Sequence, residues 1–426
     1  MTNNHMEKET IKRIILDARE NLLRRRIIKR DLVVDAEAAR RFHKVIAISG
    51  PRRAGKTSYL YQLAAGIGCA PESVVLVDFS EIILEGFQAA DFELLYRAQV
   101  EMHPDVTPCF FLDEIQEVPG YEKGLQLLLN RGCPVFITGS SSRMFAQDLA
   151  STLRGKVLVY PLYPLSFPEY LRFRDIPVME ALSTREESAI ANALDMYLRW
   201  GGFPEIALAE SEETRVKLIH SYIDIMLFRD IVERNEATNI PLLKSLLLRL
   251  MKSFTKEISV HKWYNDFRSQ GMKISKDTLY RYLSYFEDSL FFSFLSHLQK
   301  GASSRKKVYM IDNGLCRIIR EPTMDWGKLL ENRVYWDLKQ RFADIRYLRT
   351  ASWEVDFVAE DTAWQVTHSL GAENAQGELS GLREALKRGP MSRARLIVQE
   401  LSILVPAQER ISIRPYWESI RQDFWE

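Results

Sequence analysis

The stretch Gly50-Pro51-Arg52-Arg53-Ala54-Gly55-Lys56-Thr57 constrains this chain more than any other. It follows the apolar run Val45-Ile46-Ala47-Ile48 and opens Ser58-Tyr59-Leu60-Tyr61-Gln62-Leu63, so a strand passes through a glycine loop into a helix. The glycines let successive backbone N–H groups turn inward around phosphates, and a side chain at position 55 would crowd that approach. Gly50, Pro51, Arg52, Arg53, Ala54, Gly55, Lys56, Thr57 and Ser58 are therefore candidate phosphate-binding residues. In such a P-loop, Lys56 reaches the β/γ-phosphates and the Thr57 hydroxyl ligates Mg2+.

A second motif, Cys109-Phe110-Phe111-Leu112-Asp113-Glu114, is an apolar run ending in two carboxylates. It reads as a buried parallel strand that delivers Asp113 to the metal and Glu114 to a water. An Asp-Glu pair is also how an ordinary strand ends at the surface. With a P-loop upstream, the two motifs converge, because ligands of open α/β sheets gather at the carboxyl ends of the strands.

From about residue 36 to 172, short apolar runs alternate with longer helical ones, as a parallel sheet requires. The strands expected are Val45–Ile48, Val74–Phe79, Cys109–Leu112, Val135–Thr138 and Val157–Tyr160; the arrangement resembles the large class of P-loop ATPases, which implies that Val135–Thr138 inserts between the two motif strands. Numbered along the chain, the expected order is 5-1-4-3-2. Thr138-Gly139-Ser140-Ser141-Ser142 then ends beside the γ-phosphate, where the Ser140 hydroxyl can sense it. The other reading is a turn capped by serine.

Composition narrows the rest. The 426 residues exceed one typical core, and 58 Lys+Arg against 57 Asp+Glu leave a net charge of +1, so any basic surface is local. The four cysteines, Cys69, Cys109, Cys133 and Cys316, form no CxxC pair and read as reduced thiols of a cytoplasmic protein. The polar start lacks a signal peptide's apolar core, and no apolar stretch approaches the about 18 residues a membrane span needs. Residues 7–28 read as a basic amphipathic helix, with Ile11, Ile14, Ile15, Ala18 and Leu22 at helical spacing. Its basic face either contacts nucleic acid or another subunit, or is a solvated face of a helix packed on the core.

Taken in order, the P-loop, Leu112-Asp113-Glu114-Ile115-Gln116, Ile137-Thr138-Gly139-Ser140-Ser141-Ser142, Leu153-Arg154-Gly155-Lys156 and Pro164-Leu165-Ser166-Phe167-Pro168-Glu169-Tyr170 resemble the archaeal and bacterial AAA+ ATPases with a DUF4143-type C-terminal region. The resemblance continues through Gly201-Gly202-Phe203-Pro204-Glu205, Phe228-Arg229-Asp230-Ile231, Val308-Tyr309-Met310-Ile311-Asp312-Asn313-Gly314-Leu315 and Glu354-Val355-Asp356-Phe357. It implies an α/β protein that binds ATP and Mg2+. The expected parts are a basic helix (1–35), an AAA+ core (36–172), a helical lid (173–236), a winged helix (237–308) and a restriction-endonuclease-like domain (309–426).

Within that layout, Lys56, Glu114 and Arg154 are candidate catalytic residues, and Thr57 and Asp113 are the Mg2+ ligands. The family's basic position reads Leu153-Arg154-Gly155-Lys156 here, and the planar guanidinium of Arg154 suits a phosphate better than Lys156. Arg229 is an alternative, as is its pairing with Asp230 or Glu233 on a helix surface. In the winged helix, Lys276 and Arg281 on the third helix and Arg305 and Lys306 on the wing are candidate contacts to double-stranded DNA. The same shape also serves protein packing, and Tyr280, Tyr282 and Tyr285 read as partial core. In the last domain Glu331 and Asp356 match two positions of a nuclease layout, but Gln365 and Thr367 stand where the second acid and the lysine belong. The site therefore reads as vestigial. The expected function is ATP hydrolysis that moves the lid and appended domains, on or near DNA, with a homo-oligomer or protein partner and no membrane. An ATP-held switch with negligible turnover and an ATP-dependent nuclease are the alternatives.

Overall fold

The computed structural model describes residues 7–139, 149, 152–153, 155–179, 182–299, 305–319, 324–402 and 410–425. They fall into two compact units, Met1–Tyr163 and Pro164–Glu426.

The first unit is a parallel sheet of β1 (Val45–Ser49), β2 (Val74–Asp78), β3 (Cys109–Asp113), β4 (Val135–Thr138) and β5 (Val157–Pro161). Its order is β2-β3-β4-β1-β5, the expected order read from the other edge. Every residue of β1, β3 and β4 is buried, as befits strands covered on both faces. Successive side chains point to opposite faces. Val45, Ala47, Phe110, Leu112, Val135 and Ile137 join Ile11, Ile14 and Ile15 of α1 (Lys8–Arg24) in one core. Ile46, Ile48, Phe111 and Phe136 join α2 (Ala36–Arg41) and Tyr59, Leu60 and Leu63 of α3 (Lys56–Gly66) in the other. The first core is completed by α4 (Asp91–Met102) and α5 (Tyr121–Asn130). One arginine of α1 is part of this packing: the Arg19 guanidinium donates to the carbonyls of Glu72 (2.6 Å) and Val74 (2.7 Å) and to the Gln99 amide oxygen (2.6 Å).

The second unit begins with α6 (Phe167–Phe173), α7 (Thr184–Trp200), α8 (Pro204–Leu208) and α9 (Glu212–Ile225), the last running into a π-helical stretch, Met226–Glu233. Ser166 with Glu169 and Ser183 with Glu186 form reciprocal capping boxes that start α6 and α7. The glycine break after α7 meets the Asp312-Asn313-Gly314 segment. Asp312 accepts from Gly202 N–H (2.6 Å) and Gly314 N–H (2.9 Å), and a Cβ on Gly201 would lie 1.7 Å from its carboxylate. Burial lifts this carboxyl to a pKa of about 7.

Next come α10 (Ile240–Lys252), β6 (Glu257–Ile258), α11 (Val260–Ser269), α12 (Lys276–Asp288), β7 (Phe292–Ser296) and β8 (Lys306–Met310). The strands form an antiparallel sheet in the order β6-β8-β7. Ser275 caps α12, and Leu279, Leu283 and Phe286 form its buried face as expected. Tyr282 is buried, whereas Tyr280 is 57% exposed, against the partial-core expectation, because one residue advances the helix by about 100°.

The last part is a mixed sheet in the order β13-β12-β11-β10-β9. Its strands are β9 (Ile345–Arg349), β10 (Glu354–Ala359), β11 (Thr362–Leu370), β12 (Arg393–Leu401) and β13 (Ile411–Pro415). α13 (Trp326–Arg341) precedes the sheet, and α14 (Ala375–Arg388) is the crossover between the parallel strands β11 and β12. Among the described residues no helix is long and apolar enough to cross a membrane.

Candidate functional site

The loop between β1 and α3 has the backbone its sequence demands. Gly50 (φ 151°) and Gly55 (φ 91°) both occupy the region that favours glycine, and a Cβ on Gly50 would lie 2.1 Å from the Leu162 carbonyl oxygen. Pro51 and Ala54 are buried, Arg52 is half-buried, and Arg53 is exposed with φ 67°. Lys56 is only 6% exposed, and its ammonium donates to the carbonyls of Gly50 (3.1 Å) and Pro51 (3.3 Å). The lysine thus lies across the loop it would serve. Thr57 follows, half-buried, and Ser58 is exposed.

β3 brings the second motif to the same end of the sheet. Asp113 is 1% exposed. One of its carboxylate oxygens accepts from the Thr138 hydroxyl at the end of β4, and the other has no hydrogen-bond partner among the described residues. Burial lifts its pKa to about 6, opposed by hydrogen bonds from the Thr138 and Thr57 hydroxyls and reinforced by the charges of Asp78 and Glu114. The Thr57 side chain is thus near enough to act on the Asp113 carboxyl. Glu114 leaves the strand with φ 48°, an uncommon conformation for a side chain of this size. Its N–H donates to the Thr138 hydroxyl oxygen (3.1 Å), and its carboxylate accepts from Gln116. Thr138 thus ties the Asp113 carboxylate to the Glu114 backbone.

Residues 42–171 match the family model of an AAA domain. Residues 191–323 match a different model, a domain of unknown function (DUF8612), where the resemblance implied a DUF4143-type region. The chain is 29% identical to uncharacterized protein MJ1544 of Methanocaldococcus jannaschii, over 97% of this chain and 95% of that one. An uncharacterized protein of Haemophilus influenzae is 28% identical over 73% of this chain and 78% of its own length. Among solved structures, Aeropyrum pernix ORC1 in complex with DNA aligns over 79% of this chain and 95% of its own, at 14% identity and a TM-score of 0.29. Cdc6p of Pyrobaculum aerophilum aligns over 79% and 97%, at 10% identity and a TM-score of 0.27.

Two neighbours of the β1–α3 loop and β3 escaped the motif reading. Arg30, 4% exposed, donates to the carbonyls of Ala54 (2.7 Å) and Tyr163 (2.7 Å), so the segment after α1 braces the phosphate loop. Gln62 of α3 reinforces it, accepting from Arg30 N–H (2.7 Å) and donating to its carbonyl (3.0 Å). Asp78, the last residue of β2, pairs in register with Asp113. Neither belongs to a motif. The signal for Asp78 was positional: it ends the strand beside β3.

Ser140 and Arg154 lie outside the described residues. Lys156 is exposed and precedes β5, where Val157 pairs with Val45 and Pro161 with Ser49. It therefore stands at the far end of the sheet from Gly50, about 16 Å away along five strand residues, and cannot serve the phosphate loop of its own chain. Arg229 is an exposed residue of the π-helical stretch in the other unit.

The four candidate DNA contacts divide between two grooves. Arg281 lines an open groove of about 790 Å³ with Arg268, Lys273, Ser275 and Thr278, and Lys276 lies over the ring of Tyr264 beside it. Arg305 and Lys306 instead line a groove of about 380 Å³ with His261, Tyr280 and Leu283, and Arg305 pairs with Glu257 (3.7 Å). Most of the wing tip, residues 300–304, lies outside the described residues.

In the C-terminal part, Glu331 on α13 and Asp356 on β10 do come together, but around a residue the sequence reading did not consider. The Lys307 ammonium lies 3.2 Å from Glu331, 3.0 Å from Asp356 and 2.8 Å from Glu354. Gln365 turns away and donates to Glu378 (3.3 Å), while Thr367 donates to the Ser369 carbonyl (3.4 Å).

Proposed function

We propose that this chain is a Mg2+-dependent ATPase, in which the nucleotide state of the AAA domain drives movement of the appended helices and sheets, on or near duplex DNA. Asp113 carries the reading. A carboxylate buried at a strand end, with one oxygen unpartnered and a threonine hydroxyl from the phosphate loop acting on it, is a poor structural residue and a good half of a cation site. Thr57 and Asp113 fit Mg2+, which when bound supplies positive charge to the β- and γ-phosphate oxygens.

The chain's own groups do the rest. The Gly50–Gly55 backbone cradles the phosphates, and Lys56 exchanges the carbonyls of Gly50 and Pro51 for phosphate oxygens. Glu114, fixed by Thr138 and Gln116, orients the attacking water and takes up its proton. On sequence grounds Ser140 senses the γ-phosphate. On the same grounds Arg154 stabilises the developing charge. Positioning and electrostatics of this kind are what phosphoryl transfer requires of a protein.

The helix–strand–helix–helix–strand–strand order of α10 to β8 supports a winged helix as the DNA reader. The exposed Arg268, Lys273, Lys276 and Arg281 on one side supply its phosphate contacts. Arg305 and Lys306 contact the backbone separately, from the wing.

The test is steady-state ATP hydrolysis by the wild type and Glu114→Gln, each with and without duplex DNA across a salt titration. Glu114→Gln lowers turnover by about 10²–10⁴-fold while retaining ATP binding, and DNA raises wild-type turnover in a salt-dependent way. Equal turnover in the two proteins refutes the role of Glu114. ATP binding without turnover in either would leave the switch reading.

A further inference from the structure

The C-terminal carboxylates stand where a nuclease of this layout would hold a divalent cation, and the residues around them do not fit one. Strand alternation puts Lys307 and Tyr309 on one face of β8 and Glu354 and Asp356 on one face of β10, with Glu331 approaching from α13. The Lys307 side chain is 4% exposed, and its three N–H donors are matched by three carboxylates at 2.8–3.2 Å. A divalent cation needs the same oxygens at about 2.0–2.6 Å, around the point the ammonium already fills.

Further donors hold the same three carboxylates. Glu331 accepts from the Tyr309 hydroxyl (2.8 Å), Asp356 from the Val366 N–H (3.0 Å), and Glu354 pairs with Arg349 (3.4 Å). Gln365 offers no charge, and its amide is turned to Glu378. From this geometry we infer that Lys307 is the resident cation of the cluster, replacing a metal, and that the site fastens the β7–β8 hairpin to the C-terminal sheet instead of cutting phosphodiesters.

The electrostatics agree. Burial works against the Lys307 ammonium, but Glu331, Asp356 and Glu354 outweigh it and hold its pKa above that of an ordinary lysine. Burial lifts the Glu331 carboxyl to about 7, opposed first by the Lys307 charge. Three carboxylates face Lys307 and, on Glu354, Arg349, so removal of the Lys307 charge leaves a net negative cluster that would attract a divalent ion.

The experiment titrates Mn2+ into the nucleotide-free full chain and follows the electron paramagnetic resonance signal of the free ion. All proteins carry Asp113→Asn, so that the AAA domain supplies no aspartate for the ion, and the set adds Asp356→Asn, Lys307→Met and the two combined. With Lys307 present, millimolar Mn2+ finds no site that Asp356→Asn removes. Lys307→Met melts at a lower temperature, gains one Mn2+ site that Asp356→Asn abolishes, and recovers part of its melting temperature with Mn2+. Asp356-dependent Mn2+ binding by a chain that retains Lys307 overturns the inference, as does a folded Lys307→Met protein without such a site. Should Lys307→Met not fold, the chains that retain Lys307 decide: Asp356-dependent binding overturns the inference and its absence upholds it.

Discussion

Asp113→Asn tests whether the buried carboxylate at the end of β3 is a functional group held against its own stability. Burial raises its pKa from the ordinary 3.8 to about 6 in the folded chain. A raised carboxyl pKa means that the folded state holds its proton more tightly than the unfolded state does. Its contribution to stability is therefore greatest below 3.8 and is lost as the pH rises through about 6. Across the whole range the loss is about 3 kcal/mol, at 1.36 kcal/mol per tenfold change in proton affinity. Between pH 5 and pH 8, the same two values give about 1.4 kcal/mol.

Asparagine has the same shape and no titration. Any pH-independent cost of its amide cancels when the two proteins are compared at the two pH values. The assay is urea unfolding of wild type and Asp113→Asn without nucleotide, at pH 5 and pH 8, following the transition that the substitution shifts. Relative to the variant, the wild type gains about 1.4 kcal/mol on going from pH 8 to pH 5. A difference that does not change with pH, or a wild type that loses ground on acidification, refutes the reasoning. The site would then favour the charged carboxylate even without a cation.

Two further substitutions probe the first unit away from its motifs. Arg30→Met removes two guanidinium hydrogen bonds to carbonyls at 2.7 Å and costs about 2–4 kcal/mol of stability, together with weaker ATP binding. Unchanged affinity in a titration of fluorescent ATP analogue would reduce Arg30 to a packing residue. The Cys109 thiol, 2.8 Å from Cys69, and the Arg40 guanidinium hold the Cys69 pKa below the ordinary thiol value, whereas burial pushes Cys133 up to about 12. At pH 7, iodoacetamide therefore modifies Cys69 before Cys133, and Arg40→Gln slows the Cys69 reaction; equal rates by mass spectrometry would contradict this.

The sequence by itself determined whatever depends on neighbouring residues and on period. An apolar run, then two glycines, then Lys-Thr can satisfy its backbone in few ways, so the phosphate loop, its flanking elements and the five strands were legible. The strand order came from the resemblance to P-loop ATPases, in which a further strand inserts between the two motif strands. The buried stripe of α12 was legible from its period, whereas Glu331 and Asp356 were picked out only by resemblance to a nuclease layout.

Tertiary structure decided the partners that chain separation hides. Arg30 reaches Ala54 and Tyr163 across 24 and 133 positions, and Lys307 reaches Asp356 across 49. No spacing rule connects such residues. A two-residue strand, β6, and the edge strand β13 have too little pattern to announce themselves, and pairing with β8 and β12 creates them. Likewise, the sequence showed that Thr367 could not supply a nuclease lysine. Only packing showed that a lysine from a different strand stands among the carboxylates, because charge compensation in a buried site is set by distance in space, not along the chain.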